Sequence, residues 1–562
     1  MRAHRIGLVG GLLLMACGST GRNHGAVSGG GTNAGGAAGI AGDGDNSECP
    51  TAAEVAPAAL VRLTFGELGA SLRQLLGEQA AAPIVEELEA DGTNHAFPPL
   101  SAESEGPVID ERRLQTSDLL AERSAAYVRE HFRDVTKCEP DYECVTAFVA
   151  DLAQRAFRRA LQDDELSALE HVVAEAEALG APPEQGAEYG VYAVLASPHF
   201  LYRTELGPPA AASQTGEVRL SDDELASALS FFLTGAPPDE PLRAAATAHD
   251  LGSSDQLAAH VERLLASPKA RRHLQRALGN YLGFPRLETI AVDTATYPEW
   301  NAALGLAMQH ELDMLLQGTL WSGPLSGVLT SRSATINAPL ASLYGVAFPP
   351  PGATLDELGF ADVELPEGRA GLLTRAGLLT ARTSRPAAAV PERGLWVASS
   401  IACDVVPAFP GAAPTQAPGT NPSERAKAEF RMATSPCLDC HAAFDPYGLA
   451  LDELDAIGRF RASDAQGLPI DVSVTLPPTP RGPGTRVSGS RGLSTALADD
   501  FFATCMTQRF LEYARLYTAQ DAAGERCQVR RLLAASNKPG EVSFSDVLTS
   551  VVLSHAFATR RR

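Results

Sequence analysis

Beyond its amino terminus the sequence has no long hydrophobic run. No later stretch reaches the roughly 20 consecutive apolar residues that a membrane-spanning helix needs, although 45% of the 562 residues are apolar. Basic residues are also in short supply: 46 Lys and Arg stand against 68 Asp and Glu, a formal net charge of −22. A surplus of that sign repels a phosphate backbone. Apart from a short Arg560-Arg561-Arg562 run, no basic stripe interleaved with aromatics opposes it, so nucleic acid is not an expected partner. A Walker loop, a dinucleotide fingerprint, a nucleophile elbow and a zincin helix are missing too. What is present is length: at roughly 150 residues per domain the chain has material for about three or four modules, with ample apolar content for buried cores.

The amino terminus carries Arg2 and Arg5, then an apolar run from Ile6 to Met15 that is too short to span a bilayer, which together predict an export signal. Leu14-Met15-Ala16-Cys17 resembles the bacterial lipoprotein signal. That resemblance implies cleavage before Cys17 and lipidation of Cys17. It also implies attachment to the exported face of the bacterial cell envelope; Gly18 carries no inner-membrane retention signal, which points to the outer membrane. Residues 18–48 are nearly all Gly, Ala, Asn, Ser and Asp. Such a composition cannot offset the entropy of ordering, so a tether with a reach on the order of 30 Å is expected.

After Cys49 the apolar periodicity is helical. Thr64-Phe65-Gly66-Glu67 and Ser221-Asp222-Asp223-Glu224 have the form of capping boxes, and Gly77 fits a helix stop. Leu68, Leu72, Leu75 and Leu76 make one apolar face; Leu225, Leu229 and Phe232 a second; Val145, Phe148, Val149, Leu152 and Ala156 a third. Strand structure is suggested weakly, by alternation across Leu468 to Leu476. Pro- and Gly-rich breaks at Gly207-Pro208-Pro209, at Phe348 to Gly352 and across Pro407 to Pro422 divide the chain. The expected organisation is mainly α and multi-domain: helical modules over 49–206 and 207–347, a module over 348–480 and a C-terminal helical module over 481–562.

Nine cysteines occur in a chain expected to meet an oxidising compartment. Cys138 with Cys144 and Cys505 with Cys527 are paired by proximity alone. Cys437-Leu438-Asp439-Cys440-His441 is the sharpest chemical feature. Its spacing lets two thiols reach the two vinyl groups of one haem while the adjacent imidazole ligates the iron. From the Cys and His content, a chance CxxCH is expected roughly 0.003 times. Two other chemistries share the pattern: a disulfide between Cys437 and Cys440, or half of a zinc site, for which no second CxxC supplies the remaining ligands.

The run Cys437-Leu438-Asp439-Cys440-His441-Ala442-Ala443-Phe444-Asp445-Pro446-Tyr447-Gly448-Leu449-Ala450-Leu451-Asp452-Glu453-Leu454-Asp455-Ala456-Ile457-Gly458-Arg459-Phe460-Arg461 resembles the signature of an exported bacterial family. That family is built from consecutive domains of unknown function, of the 1587/1595/1592/1588/1585 type, with a C-terminal cytochrome-c-like CxxCH module. Arg62-Leu63-Thr64 with Leu75-Leu76-Gly77 is similar to its first module. Arg155-Ala156-Phe157-Arg158-Arg159 and Ser197-Pro198-His199-Phe200-Leu201-Tyr202-Arg203-Thr204-Glu205 are similar to its second. Leu225 to Thr234 and Leu340-Ala341-Ser342-Leu343-Tyr344-Gly345 resemble the third, and Arg369 to Thr374 with Arg393-Gly394 the fourth. Members often carry a His shortly before the first motif Cys, where this chain runs Arg431-Met432-Ala433-Thr434-Ser435-Pro436.

Haem c, if attached, takes Cys437, Cys440 and His441, with a backbone carbonyl near Asp445-Pro446 expected to hold the other ring nitrogen. Met506, well downstream of the motif, is the first choice for the sixth iron ligand; the competing expectation makes it a core residue beside a disulfide joining Cys505 to Cys527. Asp452, Glu453 and Asp455 are expected on the solvent face of a helix closed by Gly458, with Arg459 and Arg461 at its end. Function then divides two ways. One is a membrane-tethered c-type haem protein passing electrons to or from a redox partner protein; the other is a helical binding or scaffold protein with a structural CxxC disulfide. A haem enzyme acting on a polysaccharide or small molecule has no substrate-specific residues in its favour.

Overall fold

In the computed structural model, the described residues are 54–89, 111–208, 216–383, 390–404, 406, 422–464, 466–478, 484–519, 522–534 and 540–562. The expected signal, Cys17, the tether and Cys49 lie outside them. The fold is mainly α, with short two-stranded sheets at its seams. Among the described residues no helix is long and apolar enough to cross a membrane.

The first unit starts with strand β1 (Ala59–Arg62) and helix α1 (Phe65–Leu76). Thr64 caps α1 as its sequence suggests: its Oγ1 accepts the Glu67 N–H at 3.2 Å and Glu67 Oε2 accepts the Thr64 N–H at 2.7 Å. Gly77 ends the helix at φ 88°, in the region open to glycine. Helices α2 (Glu111–Glu130), α3 (Tyr142–Phe157), α4 (Asp163–Ala178) and α5 (Pro183–Leu195) follow, with α5 packed against the other three. Val145, Val149, Leu152 and Ala156 of α3 face the core as their spacing predicts, together with Leu63, Leu72, Leu120 and Val191. Strand β2 (Tyr202–Glu205) returns antiparallel to β1, with Ala59 opposite Glu205.

Strand β3 (Glu217–Arg219) leads into α6 (Asp222–Thr234), which also starts with its expected capping box. The sequence suggests one apolar face, but every residue from Leu225 to Thr234 is buried. The reason is position: Phe231 packs in the first core while Leu225, Leu229 and Phe232 pack in a second, so α6 serves both. The second core runs through α7 (Ala302–Leu320) and on to residue 557. Strand β4 (Ser333–Ile336) pairs antiparallel with β5 (Ala361–Glu364), which makes the Phe348–Gly352 break a loop between paired strands. The same core then takes in α8 (Val390–Trp396), α9 (Glu424–Ala433) and α10 (Leu438–Ala450). Of the weakly predicted strand only β6 (Ser473–Thr475) forms, paired with β7 (Arg486–Ser488). Helices α11 (Gly489–Leu497), α12 (Asp500–Arg515) and α13 (Phe544–Val552) complete the core, and strand β8 (Thr559–Arg561) pairs with β3.

Two disulfides join described residues. Cys138–Cys144 is the pair expected from proximity. Cys505, however, bonds to Cys403, not to Cys527. Helix α8 continues into a π-helical turn, Val397–Ile401, that packs on α12 and brings Cys403 beside Cys505 across 102 positions. Cys527 is also disulfide-bonded.

Candidate haem-attachment site

The motif lies at the start of α10. The carbonyl of Cys437 accepts the N–H of Cys440 at 3.2 Å and of His441 at 2.9 Å, so the first helical turn is built from the motif itself. Positions 437, 440 and 441 are spaced i, i+3, i+4, which places both thiols and the ring on one face. Cys437 and Cys440 are half-buried, and neither is in a disulfide. Among the described residues, no group of three or more His, Cys, Asp or Glu is arranged to hold a metal ion.

One turn further on, Asp445 is fully buried. Its Oδ1 lies 3.0 Å from His441 Nδ1, and its Oδ2 accepts Arg431 Nε–H at 2.8 Å. The expected backbone acceptor for His441 is thus replaced by a carboxylate. Helical geometry explains it, because 441 and 445 are an i, i+4 pair in a helix that runs on through Pro446 to Ala450. The ring packs against Phe444 with centroids 4.8 Å apart, and its Nε2 has no hydrogen-bond partner among the described residues. Arg431 comes from the last turn of α9, which packs on α10.

Two glycines hold α10 against α8. A Cβ on Gly448 would strike the Val390 carbonyl, and one on Gly394 the Phe444 carbonyl. Backbone contact of this kind fixes the motif helix on the core and leaves its first turn at the edge.

Met506 is a core residue. It is buried in α12, which packs on α13 and on Val397–Ile401, whereas α10 packs on α8, α9, α11 and that same π-helical turn. Its environment is that of a core methionine next to the disulfide-bonded Cys505.

The acidic residues after the motif are not on a solvent-facing helix. Helix α10 ends at Ala450, and Asp452 and Asp455 are buried in the turns that follow. Asp455 accepts the N–H groups of Ile457 at 3.1 Å and Arg459 at 2.8 Å, while Asp452 pairs with Arg461. Burial raises the Asp452 carboxyl above its ordinary value, with Arg461 opposing. Glu453 accepts the N–H and hydroxyl of Ser490. From the core side the buried Arg393 donates to the carbonyls of Leu454 and Asp455, both at 2.6 Å, and Arg369 to that of Gly458 at 2.9 Å. Desolvation pushes the Arg393 guanidinium down to about 10. Gly458 stands at φ 78° with no room for a Cβ beside Ala376. The carboxylates of this segment are therefore structural, and the sequence-level rule that reads charged residues as exposed fails because each has a partner.

Three family models match along this frame. Residues 144–205 match PSD5, a protein of unknown function (DUF1595), and residues 220–346 match PSD4, a protein of unknown function (DUF1592). Residues 369–464 match PSCyt3, a protein of unknown function (DUF1588). The chain carries three modules of this multi-module family. No curated protein and no solved structure matches it. The CxxCH motif and its Asp445 and Arg431 partners lie inside the DUF1588 module, and the DUF1592 module supplies α6 and α7 to the same core. Asp445 and Arg431 were not singled out as site residues from the sequence. The i, i+4 spacing from His441 is the signal that reveals Asp445; nothing local marks Arg431, which arrives through helix packing.

Proposed function

We propose that this chain is an exported, lipid-tethered c-type haem protein that passes single electrons to or from a redox partner protein. In this reading Cys437 and Cys440 attach haem c and His441 is its proximal ligand. One observation carries it: two thiols that are in no disulfide share a helix face with an imidazole whose Nδ1 is tied to a buried carboxylate and whose Nε2 has no hydrogen-bond partner among the described residues. Metal-ligating histidines have this arrangement, because the bond at one ring nitrogen orients the ring and leaves the other for the metal. The name of the module that holds the motif, PSCyt3, points the same way. A haem bound there would supply one-electron chemistry at a potential set by its ligands and surroundings. The chain's own part is to fix the group through two thiols, to orient His441, and to back the site with the packed core under α10. The reading does not depend on Met506, which lies buried in α12. Lipidation at Cys17 would hold the protein at the membrane face, with the segment before Cys49 as a tether.

The test is the absorbance of protein produced with the c-type maturation machinery. Reduced Soret and α bands that disappear in a Cys437→Ala, Cys440→Ala variant support the proposal. Colourless protein whose two motif sulfurs are bonded to each other overturns it and favours a helical scaffold.

A further inference from the structure

The hydrogen bond between His441 and Asp445 has no place in the attachment chemistry itself, which needs only the two thiols and one ring nitrogen. Asp445 is nevertheless completely buried, and its two oxygens are divided between two partners. Arg431 could have taken both oxygens in the parallel fork that guanidinium and carboxylate favour. Instead only its Nε–H is used. Its Nη2 is buried without a hydrogen-bond partner, while Asp445 Oδ1 goes to His441 Nδ1 at 3.0 Å. The oxygen that Arg431 leaves free is the one that meets the ring of His441.

An ionised carboxylate only accepts hydrogen bonds. Asp445 already accepts the Nε–H of Arg431, and as the acceptor toward His441 as well it places the proton of a neutral His441 on Nδ1 and the lone pair on Nε2, the atom that faces away from Asp445. Sharing the Nδ1 proton with a carboxylate also makes the ring a stronger electron donor than a backbone carbonyl would.

We infer that Asp445 is a positioning residue for His441, fixing its tautomer and orientation and lowering the reduction potential of the iron that His441 would hold. This rests on the haem reading above. The electron-rich ring favours the ferric over the ferrous state; in the couple it tunes, one electron enters from a reduced partner protein and leaves to an oxidised one. Arg431 acts in the opposite direction, tempering the charge of Asp445.

The experiment uses the full chain. In the haem-free protein, the ¹⁵N shifts of the His441 ring report its tautomer. In the haem-loaded protein, spectroelectrochemistry reads the midpoint potential of wild type, Asp445→Asn, Arg431→Gln and the double variant, with haem content measured alongside. The expected results are an Nδ1–H tautomer in wild type, a positive shift of potential in Asp445→Asn and a negative one in Arg431→Gln. The double variant removes one charge of each sign, so a potential that stays above wild type isolates the hydrogen bond from the net charge. A double variant at the wild-type potential, or an Nε2–H tautomer in the wild-type protein, overturns the inference. If Asp445→Asn does not fold, the negative shift in Arg431→Gln carries the decision, and no shift there overturns the inference. Absence of haem from wild type defeats the haem reading instead, and the tautomer measurement still decides whether Asp445 positions His441.

Discussion

Arg375 donates to Glu311 at 3.1 Å with neither side chain exposed at all, and this pair joins the DUF1588 module to the DUF1592 module. Further bonds support the pair: Tyr344 donates its hydroxyl to Glu311 at 2.6 Å, and Arg375 reaches the carbonyls of Ser331 and Ser333, both at 2.9 Å, through its Nη2. Removing one member of a buried pair leaves an uncompensated charge. Glu311→Ala or Arg375→Met alone is expected to cost about 3–5 kcal/mol, and the joint Glu311→Met, Arg375→Met change considerably less. Urea denaturation of the three variants measures this, and equal losses in single and double variants would contradict it.

The contact between α8 and α10 leaves no space for a methyl group. Gly448→Ala and Gly394→Ala should each cost about 1–3 kcal/mol or more, because the obstacle is a backbone carbonyl that cannot swing aside. Gly318→Ala is the control. Gly318 is an exposed residue of α7 with nothing near its added Cβ, and the change should stabilise by about 0.5–1 kcal/mol. Thermal melting of the three proteins checks the sign of each.

Cys403 and Cys505 close a loop across 102 positions. Their joint replacement by Ala should cost about 2–5 kcal/mol. Peptide mapping of alkylated, unreduced protein should recover Cys403 linked to Cys505 and Cys138 linked to Cys144. Recovery of Cys505 linked to Cys527 would contradict the packing of Val397–Ile401 on α12.

His273 sets an acid limit on stability. Burial, with Arg276 adding repulsion, pushes its imidazole down to about 4, while its Nε2 meets the Tyr513 hydroxyl at 3.2 Å. The unfolded chain takes up this proton near the ordinary value of 6.5, so between that pH and about 4 the unfolded state binds more protons than the folded one. The contribution is complete above pH 6.5 and is lost as the pH falls toward 4. It amounts to about 1–3 kcal/mol, allowing for the partial exposure of the ring. Urea denaturation at pH 7 and 4.5 should show a smaller acid loss in His273→Gln than in wild type; equal losses would refute the assignment.

Much of this was legible from local sequence. Thr64 with Glu67, and Ser221 with Glu224, start their helices where the capping pattern places them, because a cap depends on a few consecutive residues. The helical stripe of α3 lies in the core for the same reason. Local reading failed where distant segments supplied the partner. Asp452 and Asp455 look like surface charges until Arg461, Arg459 and Arg393 are brought against them.

Chain chemistry alone determined that the protein is mainly helical, where several helices start, and that Cys437, Cys440 and His441 share one face, because each of these depends on spacing within a turn or two. Tertiary packing decided that Cys505 bonds to Cys403, that Met506 stays in the core, and that Arg431 and Asp445 stand behind His441. Those outcomes turn on which helices meet across tens to a hundred positions. That is settled by the close approach of Gly394 and Gly448 and by the shared core, information that no short stretch of sequence carries.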